Sequence, residues 1–297
     1  MNRVLRAHIF IILANFLYGI NFNIAKAIMP EYVLPYGLNV LRVLGAILLF
    51  WLIDAFYKTE KISKKDLGRL ILCGVFGVAI NQLLFLKGLN YTSPIDASIL
   101  ITSIPVLVLI IAAIILKESI TFMKIAGILL GCAGALLLIT YKGDVSFDSK
   151  YFLGNLLVFI NSASYALFFV IVKPLMSKYR TITVMKWVFL FGSLIVIPVG
   201  FNEVMMISWQ NMPLTAWLSI GYVVIGTTFL AYFLNIAGLE HVSPTVASIY
   251  IYLQPVIAAI IALITGQDTI TTMKIVATVL VFTGVYLVSR TRGTKKS

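Results

Sequence analysis

The sequence has few of the residues on which most catalytic and metal sites depend. Only 11 of its 297 residues are Asp or Glu, and it has two histidines and two cysteines. The cysteines, Cys73 and Cys132, lie in separate apolar stretches, so the sequence predicts neither a disulfide framework nor a metal site. It has no P-loop, no HExxH or GxSxG motif and no dinucleotide-binding fingerprint. We therefore expect no enzyme, no ATPase and no cofactor.

Charge of either sign is scarce, whereas long apolar stretches recur along the chain. Hydrophobic residues make up 61% of the sequence and charged residues 11%. The stretches have close to the ~20 residues that a helix needs to cross a bilayer, where backbone groups must be satisfied within the helix. They cover residues 8–28, 35–56, 69–88, 94–116, 122–141, 151–172, 182–201, 213–235, 244–265 and 272–289. The prediction is an all-α integral membrane protein with ten transmembrane helices, no soluble domain and the lipid bilayer around it.

The basic residues indicate how the chain is oriented. If the N-terminus is cytoplasmic, 17 of the 23 lysines and arginines lie at cytoplasmic ends of the predicted helices. The positive-inside rule then places both termini in the cytoplasm of a multi-pass protein of the cytoplasmic membrane. Because these charges are scattered over short loops, the net charge of +12 predicts topology and not nucleic-acid binding.

The second half of the chain repeats the first. Residues 89–138 and 239–288 align at a constant offset of 150, and 21 of the 50 paired positions are identical. The matches include Ser93-Pro94 with Ser243-Pro244 and Pro105 with Pro255. Such internal similarity indicates a duplication, with one unit at residues 1–141 and the other at 142–297.

Five helices in each unit make an odd number, so the second unit must enter the membrane from the opposite side. Two inverted five-helix repeats are a recurrent transporter architecture, in which one central site opens alternately to the two sides. The sequence therefore predicts a secondary transporter for a small-molecule substrate. It leaves the oligomeric state open, and a monomer would suffice for this mechanism.

Several motifs resemble a known family. The run 88–94 (GLNYTSP), Pro105 within the following helix, Lys117-Glu118 after it and the glycines of the next helix are similar to the EamA module of the drug/metabolite transporter superfamily. The second copy repeats Gly238-Leu239, Ser243-Pro244 and Pro255, although Asp268 replaces Glu118 and Val246 replaces Asp96. The resemblance implies a ten-helix carrier, commonly an exporter of amino acids or other small metabolites.

Non-transport functions stay open at this point. A lipid-modifying membrane enzyme would need a cluster of acids or histidines near the interface, and the sequence offers none. A channel would be expected to carry a ring of like charges or a repeated filter sequence, which is also missing. A membrane scaffold is the third alternative. The transporter interpretation, with export of an amphipathic metabolite such as an amino acid, explains the duplication best.

Two predicted helices carry matching polar and aromatic faces. Intramembrane polar groups usually face the bundle interior, so we expect both faces to line a central substrate site. Structural hydrogen bonding between helices is the alternative. The candidate substrate-binding residues are Asn15, Tyr18 and Phe22 on the first helix and Ser162, Tyr165 and Phe169 on the sixth.

The fourth and ninth predicted helices provide a second matched set, built around two prolines. A proline inside a helix frees the carbonyl four residues earlier, here that of Ile101 or Ile251, and kinked helices commonly line carrier sites. Pro105 and Pro255 are therefore predicted to kink these helices, unless they only shape packing. The further substrate-binding candidates are Ser98, Thr102, Ser248 and Tyr252, with Asn81 and Gln82 from the third helix. Asn235 is expected too close to the interface to contribute.

Three basic residues near or within the predicted spans are assigned as gates or anchors. Lys26 and Lys173 lie at opposite membrane faces, which suits an anchoring role better than a shared binding pair. Arg42 could bind an anionic group of the substrate. It could also extend to the outer headgroups or bind helix ends in the other repeat, and we favour this structural role.

Overall fold

The fold was obtained as a computed structural model, which describes residues 2–57, 60–92, 97, 100–140, 149–264 and 271–290. Within these ranges the chain is helical and forms no strand. We label the helices in chain order. They are α1 (Arg3–Ile28), α2 (Pro35–Asp54), α3 (Lys64–Tyr91), α4 (Ile104–Ile115), α5 (Phe122–Thr140), α6 (Ser149–Ile171), α7 (Thr181–Met205), α8 (Leu214–Gly238), α9 (244–264) and α10 (Thr272–Ser289).

The helices are apolar enough for a membrane. In the described part of the chain, six of them (α1, α2, α3, α7, α8 and the segment Phe152–Met176 that contains most of α6) are long and apolar enough to cross a bilayer. Shorter apolar helices are present at Ile104–Ile115, Phe122–Leu137 and Ile275–Ser289. The predicted all-α membrane class is therefore supported, while the count of ten crossings and the inversion of the two units stay predictions.

Three helices extend beyond the predicted apolar stretches, and a polar residue caps the start of two of them. Helix α1 begins at Arg3 instead of residue 8, and the Asn2 side chain accepts a hydrogen bond from the Val4 amide at its start. Helix α3 begins at Lys64 behind Ser63, whose hydroxyl accepts from the Asp66 amide. Such N-caps satisfy backbone donors that the first turn would otherwise leave free. Helix α7 continues to Met205, which shortens the loop predicted at 202–212.

Close backbone contacts join helices from the two units. A Cβ atom at Gly127 of α5 would lie 2.8 Å from the Gly284 carbonyl oxygen of α10, and one at Gly284 would lie 2.5 Å from the Gly127 oxygen. Small residues allow this approach, which maximises dispersion contacts in the absence of a hydrophobic driving force within lipid. Helix α2 packs in a similar way along α7. A Cβ atom at Gly200 of α7 would lie 2.4 Å from the Tyr36 carbonyl oxygen of α2.

Wide π-helical turns interrupt α3 at Val75–Ile80 and α8 at Tyr222–Leu230. The two π-helical segments end at Ile80 and Leu230, which are 150 residues apart, and this is also the offset of the sequence repeat. Neighbouring helices supply hydrogen bonds to the interrupted backbone of α3, because Ser164 Oγ donates to the Phe76 carbonyl (2.6 Å) and Tyr232 Oη to the Gly77 carbonyl (3.1 Å). Such turns often occur at functional sites, and these two border the central cavity of the bundle.

Candidate substrate cavity

A cavity with a mainly apolar wall and several polar groups lies in the middle of the helix bundle, between α1, α2, α3, α6, α8 and the segments that surround the two prolines. Its volume of about 80 Å³ has room for several water molecules. Amides, tyrosines, one arginine and a set of apolar side chains form its wall. The lining residues are Asn15, Tyr18, Asn21, Phe22, Arg42, Asn81, Phe85, Ile101, Ile104, Asn161, Tyr165, Tyr232, Asn235, Ile251 and Gln254.

The predicted face of α1 lies on this cavity. Asn15, Tyr18 and Phe22 all line it. The Asn15 amide is fixed at both ends, because its Nδ2 donates to the Ile11 carbonyl (2.9 Å) and its Oδ1 accepts from Gln254 Nε2 (2.8 Å). Helix α1 is thereby joined to α9 at the cavity wall.

The predicted face of α6 is only partly on the cavity. Tyr165 lines it, whereas Ser162 donates within its own helix to the Val158 carbonyl (3.0 Å). Phe169 lies behind Tyr165, with its ring stacked on the tyrosine at 5.5 Å. Asn161 lines the cavity in place of Ser162, and its Nδ2 donates to the Asn81 carbonyl at 2.8 Å.

Three tyrosines meet at the cavity. The ring of Tyr232 stands edge-on to those of Tyr18 and Tyr165, with centroids 6.1 and 6.5 Å away. The single proton of Tyr232 Oη is shared between Asn81 Oδ1 (2.8 Å) and the Gly77 carbonyl (3.1 Å), and Asn235 Nδ2 donates to Tyr165 Oη (2.6 Å). The edge-to-face packing and these two hydrogen bonds both favour a rigid wall.

The expected interfacial position of Asn235 is wrong. The residue is only 3% exposed and lines the cavity. Helix α8 continues three residues beyond it to Gly238, and Lys173 caps the helix end by donating to the carbonyls of Leu239 and Val242. Asn235 therefore lies inside the helix, about one turn before its end, on the wall of the cavity.

The side chains predicted from the two proline segments lie behind the wall. Ser248 donates to the Thr245 carbonyl (3.0 Å), and the Tyr252 ring packs against Gly131 of α5, where a Cβ would lie 2.4 Å from it. Thr102 is buried but does not line the cavity, and Gln82 is buried beside Asn81 without lining it. Ser98 lies outside the described residues.

The two prolines stand next to interruptions of the helices, while their predicted role as kinks that line the substrate site stays a prediction. Pro105 stands in the first turn of α4, after a turn at residues 102–103, and Pro255 follows a 3₁₀ segment at Ile249–Tyr252. The interruptions bring Ile101, Ile104 and Ile251 to the cavity, together with Gln254. The wall contributed by these segments is therefore mainly apolar.

Arg42 does not extend to the headgroups, so that part of the expectation is wrong. It is 4% exposed and lines the cavity. Its Nε donates to Thr228 Oγ1 at 2.7 Å, in the π-helical turn of α8. This contact holds the guanidinium inside the bundle and joins the first unit to the second, but through a side chain in the middle of α8 and not through a helix end. Its Nη1 atom has no hydrogen-bond partner.

Lys26 and Lys173 bind helix ends. Lys26 Nζ donates to the carbonyls of Leu89 (2.8 Å) and Asn90 (3.0 Å) at the end of α3, and Lys173 binds the end of α8 as described above. A cation at a helix C-terminus satisfies free carbonyls and complements the helix dipole. These contacts fit the anchoring role, while a gating role stays a prediction.

Six of the lining residues were not predicted from the sequence. They are Asn21, Phe85, Ile104, Asn161, Tyr232 and Gln254. The 150-residue offset carried a signal for Tyr232, since it pairs that residue with the candidate Gln82. In the part of the chain that the structure describes, no group of three or more His, Cys, Asp or Glu residues could hold a metal ion.

Comparison with known proteins finds one family profile twice along the chain. The profile described as the EamA-like transporter family matches residues 5–140 and again residues 152–290. The relatives include the uncharacterized transporter YyaM of Bacillus subtilis, which is 28% identical over 279 residues, or 91% of this chain and 89% of that protein. An uncharacterized transporter of Archaeoglobus fulgidus is 28% identical over 275 residues, or 93% and 95% of the two chains.

One similar protein has a named substrate class. The "Probable terminal-alkyne amino-acid exporter" of Streptantibioticus cattleyicolor is 24% identical over 229 residues, which are 76% of this chain and 74% of that protein. Among solved structures, a chain described as "Crystal structure of protein" superposes with a TM-score of 0.74 at 16% identity, and covers 94% of this chain and 98% of its own. At that identity the superposition shows the fold alone.

Proposed function

The chain belongs to the EamA-like transporter family, and we propose that it is a secondary carrier that moves a small amphipathic metabolite across the cytoplasmic membrane by alternating access. The family assignment confirms the resemblance carried by the sequence motifs. Members of the family are transporters, which is consistent with a non-enzymatic protein embedded as a multi-pass chain in a membrane.

The observation that carries this proposal is the central cavity, because helices of both units build its wall. Tyr18 and Arg42 come from the first unit, whereas Tyr165, Tyr232 and Asn235 come from the second. A site shared by two related units is the arrangement that rocking or gating of one unit against the other would expose to each side in turn.

We further propose that the chain crosses the membrane ten times as two inverted five-helix units, with both termini in the cytoplasm. The matched features support this arrangement: the π-helical turns of α3 and α8, the lysine-capped helix ends and the paired prolines all recur at offsets of 147 to 150 residues. The loop charges support the orientation.

An amino acid is the proposed substrate and export the proposed direction. The cavity combines aromatic and aliphatic walls with a few fixed polar groups, which suits a small amphipathic solute. The similarity to an amino-acid exporter points to the same class.

A counterflow assay tests the proposal. Purified protein would be reconstituted into lipid vesicles loaded with unlabelled L-leucine, and labelled L-leucine would be added outside, with and without a pH gradient. A carrier that exchanges solute gives a transient overshoot of label, whereas a channel only equilibrates it. We expect the overshoot with the wild type and a much smaller one with Tyr18→Ala.

The matched control is Tyr286→Ala, which removes a tyrosine that is 57% exposed at the far end of α10. It should transport like the wild type. An equal loss in both variants would contradict the assignment of the site, and uptake no greater than in protein-free vesicles for a panel of small metabolites would contradict the carrier function itself.

A further inference from the structure

The cavity wall contains a buried positive charge that lacks a counter-charge. Among the described residues that line the cavity, Arg42 is the one with a formal charge, and the side chain is 4% exposed. Its Nε atom is bound to the neutral hydroxyl of Thr228, while its Nη1 atom has no hydrogen-bond partner. A buried cation without a paired anion is costly, so this position favours a ligand that brings a negative charge.

A second unsatisfied group lies on the same cavity and has the opposite hydrogen-bonding character. Asn235 donates through Nδ2 to Tyr165 Oη, and this contact fixes the orientation of the amide. The other end of the amide, Oδ1, is buried and accepts no hydrogen bond. The residues of the wall therefore include an unused cationic donor and an unused neutral acceptor, besides the Tyr18 hydroxyl, which also has no partner.

Another part of the wall is apolar. Phe22 of α1 and Phe85 of α3 meet edge to face with ring centroids 5.8 Å apart. Ile101, Ile104 and Ile251 extend this surface from the proline segments. An apolar side chain of a ligand would be desolvated there without any polar group being stranded.

We propose that the site binds apolar α-amino acids as zwitterions, with the carboxylate on Arg42 Nη1 and the ammonium group donating to Asn235 Oδ1. The apolar side chain lies against Phe22, Phe85 and the isoleucines. This inference rests on the proposed carrier function and adds the chemistry of recognition to it. A cationic amine would be repelled by Arg42, and a neutral solute would leave the guanidinium unpaired.

Three ligands of similar shape separate the contributions of the two charged groups. L-Leucine has both, 4-methylpentanoate lacks the ammonium group and isoamylamine lacks the carboxylate. Binding to the purified wild-type protein in detergent micelles would be measured by isothermal titration. We expect L-leucine to bind most tightly, 4-methylpentanoate more weakly and isoamylamine not at all. Equal affinity for L-leucine and isoamylamine, or no binding of L-leucine, would overturn the proposal without the need for any variant.

Substitutions then assign each group to its residue. Arg42→Gln should weaken L-leucine binding by about 10- to 100-fold, as expected for the loss of a charge-assisted hydrogen bond. Arg42→Lys, which keeps the charge but loses the planar guanidinium, should retain part of the affinity. Lys65→Gln, which removes an equal charge from an exposed position, is the control and should bind like the wild type.

Asn235→Leu should lower the affinity for L-leucine to the level of the affinity for 4-methylpentanoate. The affinity for 4-methylpentanoate itself should stay unchanged. General damage to the site would lower both affinities. An unaltered preference for L-leucine in this variant, or full L-leucine affinity in Arg42→Gln, would refute the inference. Counterflow of a different solute by a protein that does not bind L-leucine would refute this substrate class alone. Absence of counterflow for every solute would instead contradict the carrier function.

Discussion

Tyr18 and Tyr165 occupy matched positions in the two units but differ in hydrogen bonding, and this difference leads to our most specific prediction. Tyr165 Oη accepts a 2.6 Å hydrogen bond from Asn235 Nδ2. Tyr18 Oη makes no well-formed hydrogen bond, although it lies close to the Tyr165 hydroxyl. Replacement of each tyrosine by phenylalanine removes one oxygen atom and keeps the ring, so the two variants isolate the two hydroxyl groups.

The expected stabilities differ. Tyr165→Phe leaves the Asn235 amide without the acceptor for its Nδ2, and the Oδ1 atom of the same residue is already unsatisfied. A stranded buried donor costs about 1–3 kcal/mol in water-soluble proteins, and somewhat less in bundles within lipid. We therefore expect the free energy of unfolding of Tyr165→Phe to fall by about 1–2 kcal/mol. Tyr18→Phe should change it by less than about 0.5 kcal/mol.

The expected effects on binding are reversed. The Tyr18 hydroxyl is free to interact with a ligand, so Tyr18→Phe should weaken binding of a substrate that can hydrogen-bond to it by about 1 kcal/mol. Replacement of either tyrosine by alanine should weaken binding by about 1–3 kcal/mol, through loss of the ring contacts with Tyr232.

Reversible unfolding in mixed detergent micelles measures the stabilities, and isothermal titration measures the affinities. Tyr286→Phe serves as a control at an exposed position. Equal destabilisation by Tyr18→Phe and Tyr165→Phe would refute the hydrogen-bonding difference. Wild-type affinity in both alanine variants, with the fold retained, would move the substrate site away from the tyrosines.

Three further predictions concern orientation, motion and packing. In a background without native cysteines, a cysteine at Gln210 should react with an impermeant thiol reagent added outside the cell, and one at Lys65 should not; the opposite pattern would reverse the topology. Pro105→Ala or Pro255→Ala should slow counterflow several-fold with little change in affinity, since each restores a continuous helix; unchanged exchange in both would leave the prolines as packing features. Gly284→Val should lower the free energy of unfolding by several kcal/mol, because a Cβ atom there would lie 2.5 Å from the Gly127 carbonyl oxygen. Wild-type stability of this variant in unfolding assays would contradict the close contact between α5 and α10.

Periodicity and composition predict the positions of helices in this chain well, since bilayer thickness sets the length of an apolar stretch. Their ends are predicted less well. Helices α1 and α3 begin earlier than expected because Asn2 and Ser63 cap them, and such polar ends lie outside the apolar pattern.

The central cavity was predictable only in part. The polar face of α1 points to it as expected, because Asn15, Tyr18 and Phe22 recur with helical spacing. The rotation of α6, however, brings Asn161 to the wall instead of Ser162, and helix rotation depends on packing against neighbours that the sequence does not reveal. The π-helical turns shift the register of α3 and α8, so a face drawn with a regular helical period is displaced there.

Arg42 shows a different limit. A long basic side chain near a predicted helix end usually reaches the headgroup region. Here Thr228 provides a hydrogen-bond partner inside the bundle, from a helix 186 positions further along the chain. Only the fold brings these two residues together, and with them the charge that defines the proposed recognition.

Alternating access requires that the central cavity open to both sides of the membrane. Ile104 lines the cavity and has no polar contacts to disturb, so Ile104→Cys in a cysteine-free background is a suitable reporter. An impermeant thiol reagent would be applied to right-side-out and to inverted membrane vesicles, with and without L-leucine. We predict modification from either side and protection by L-leucine on both. Modification from one side alone, unaffected by the solute, would contradict alternating access through this cavity.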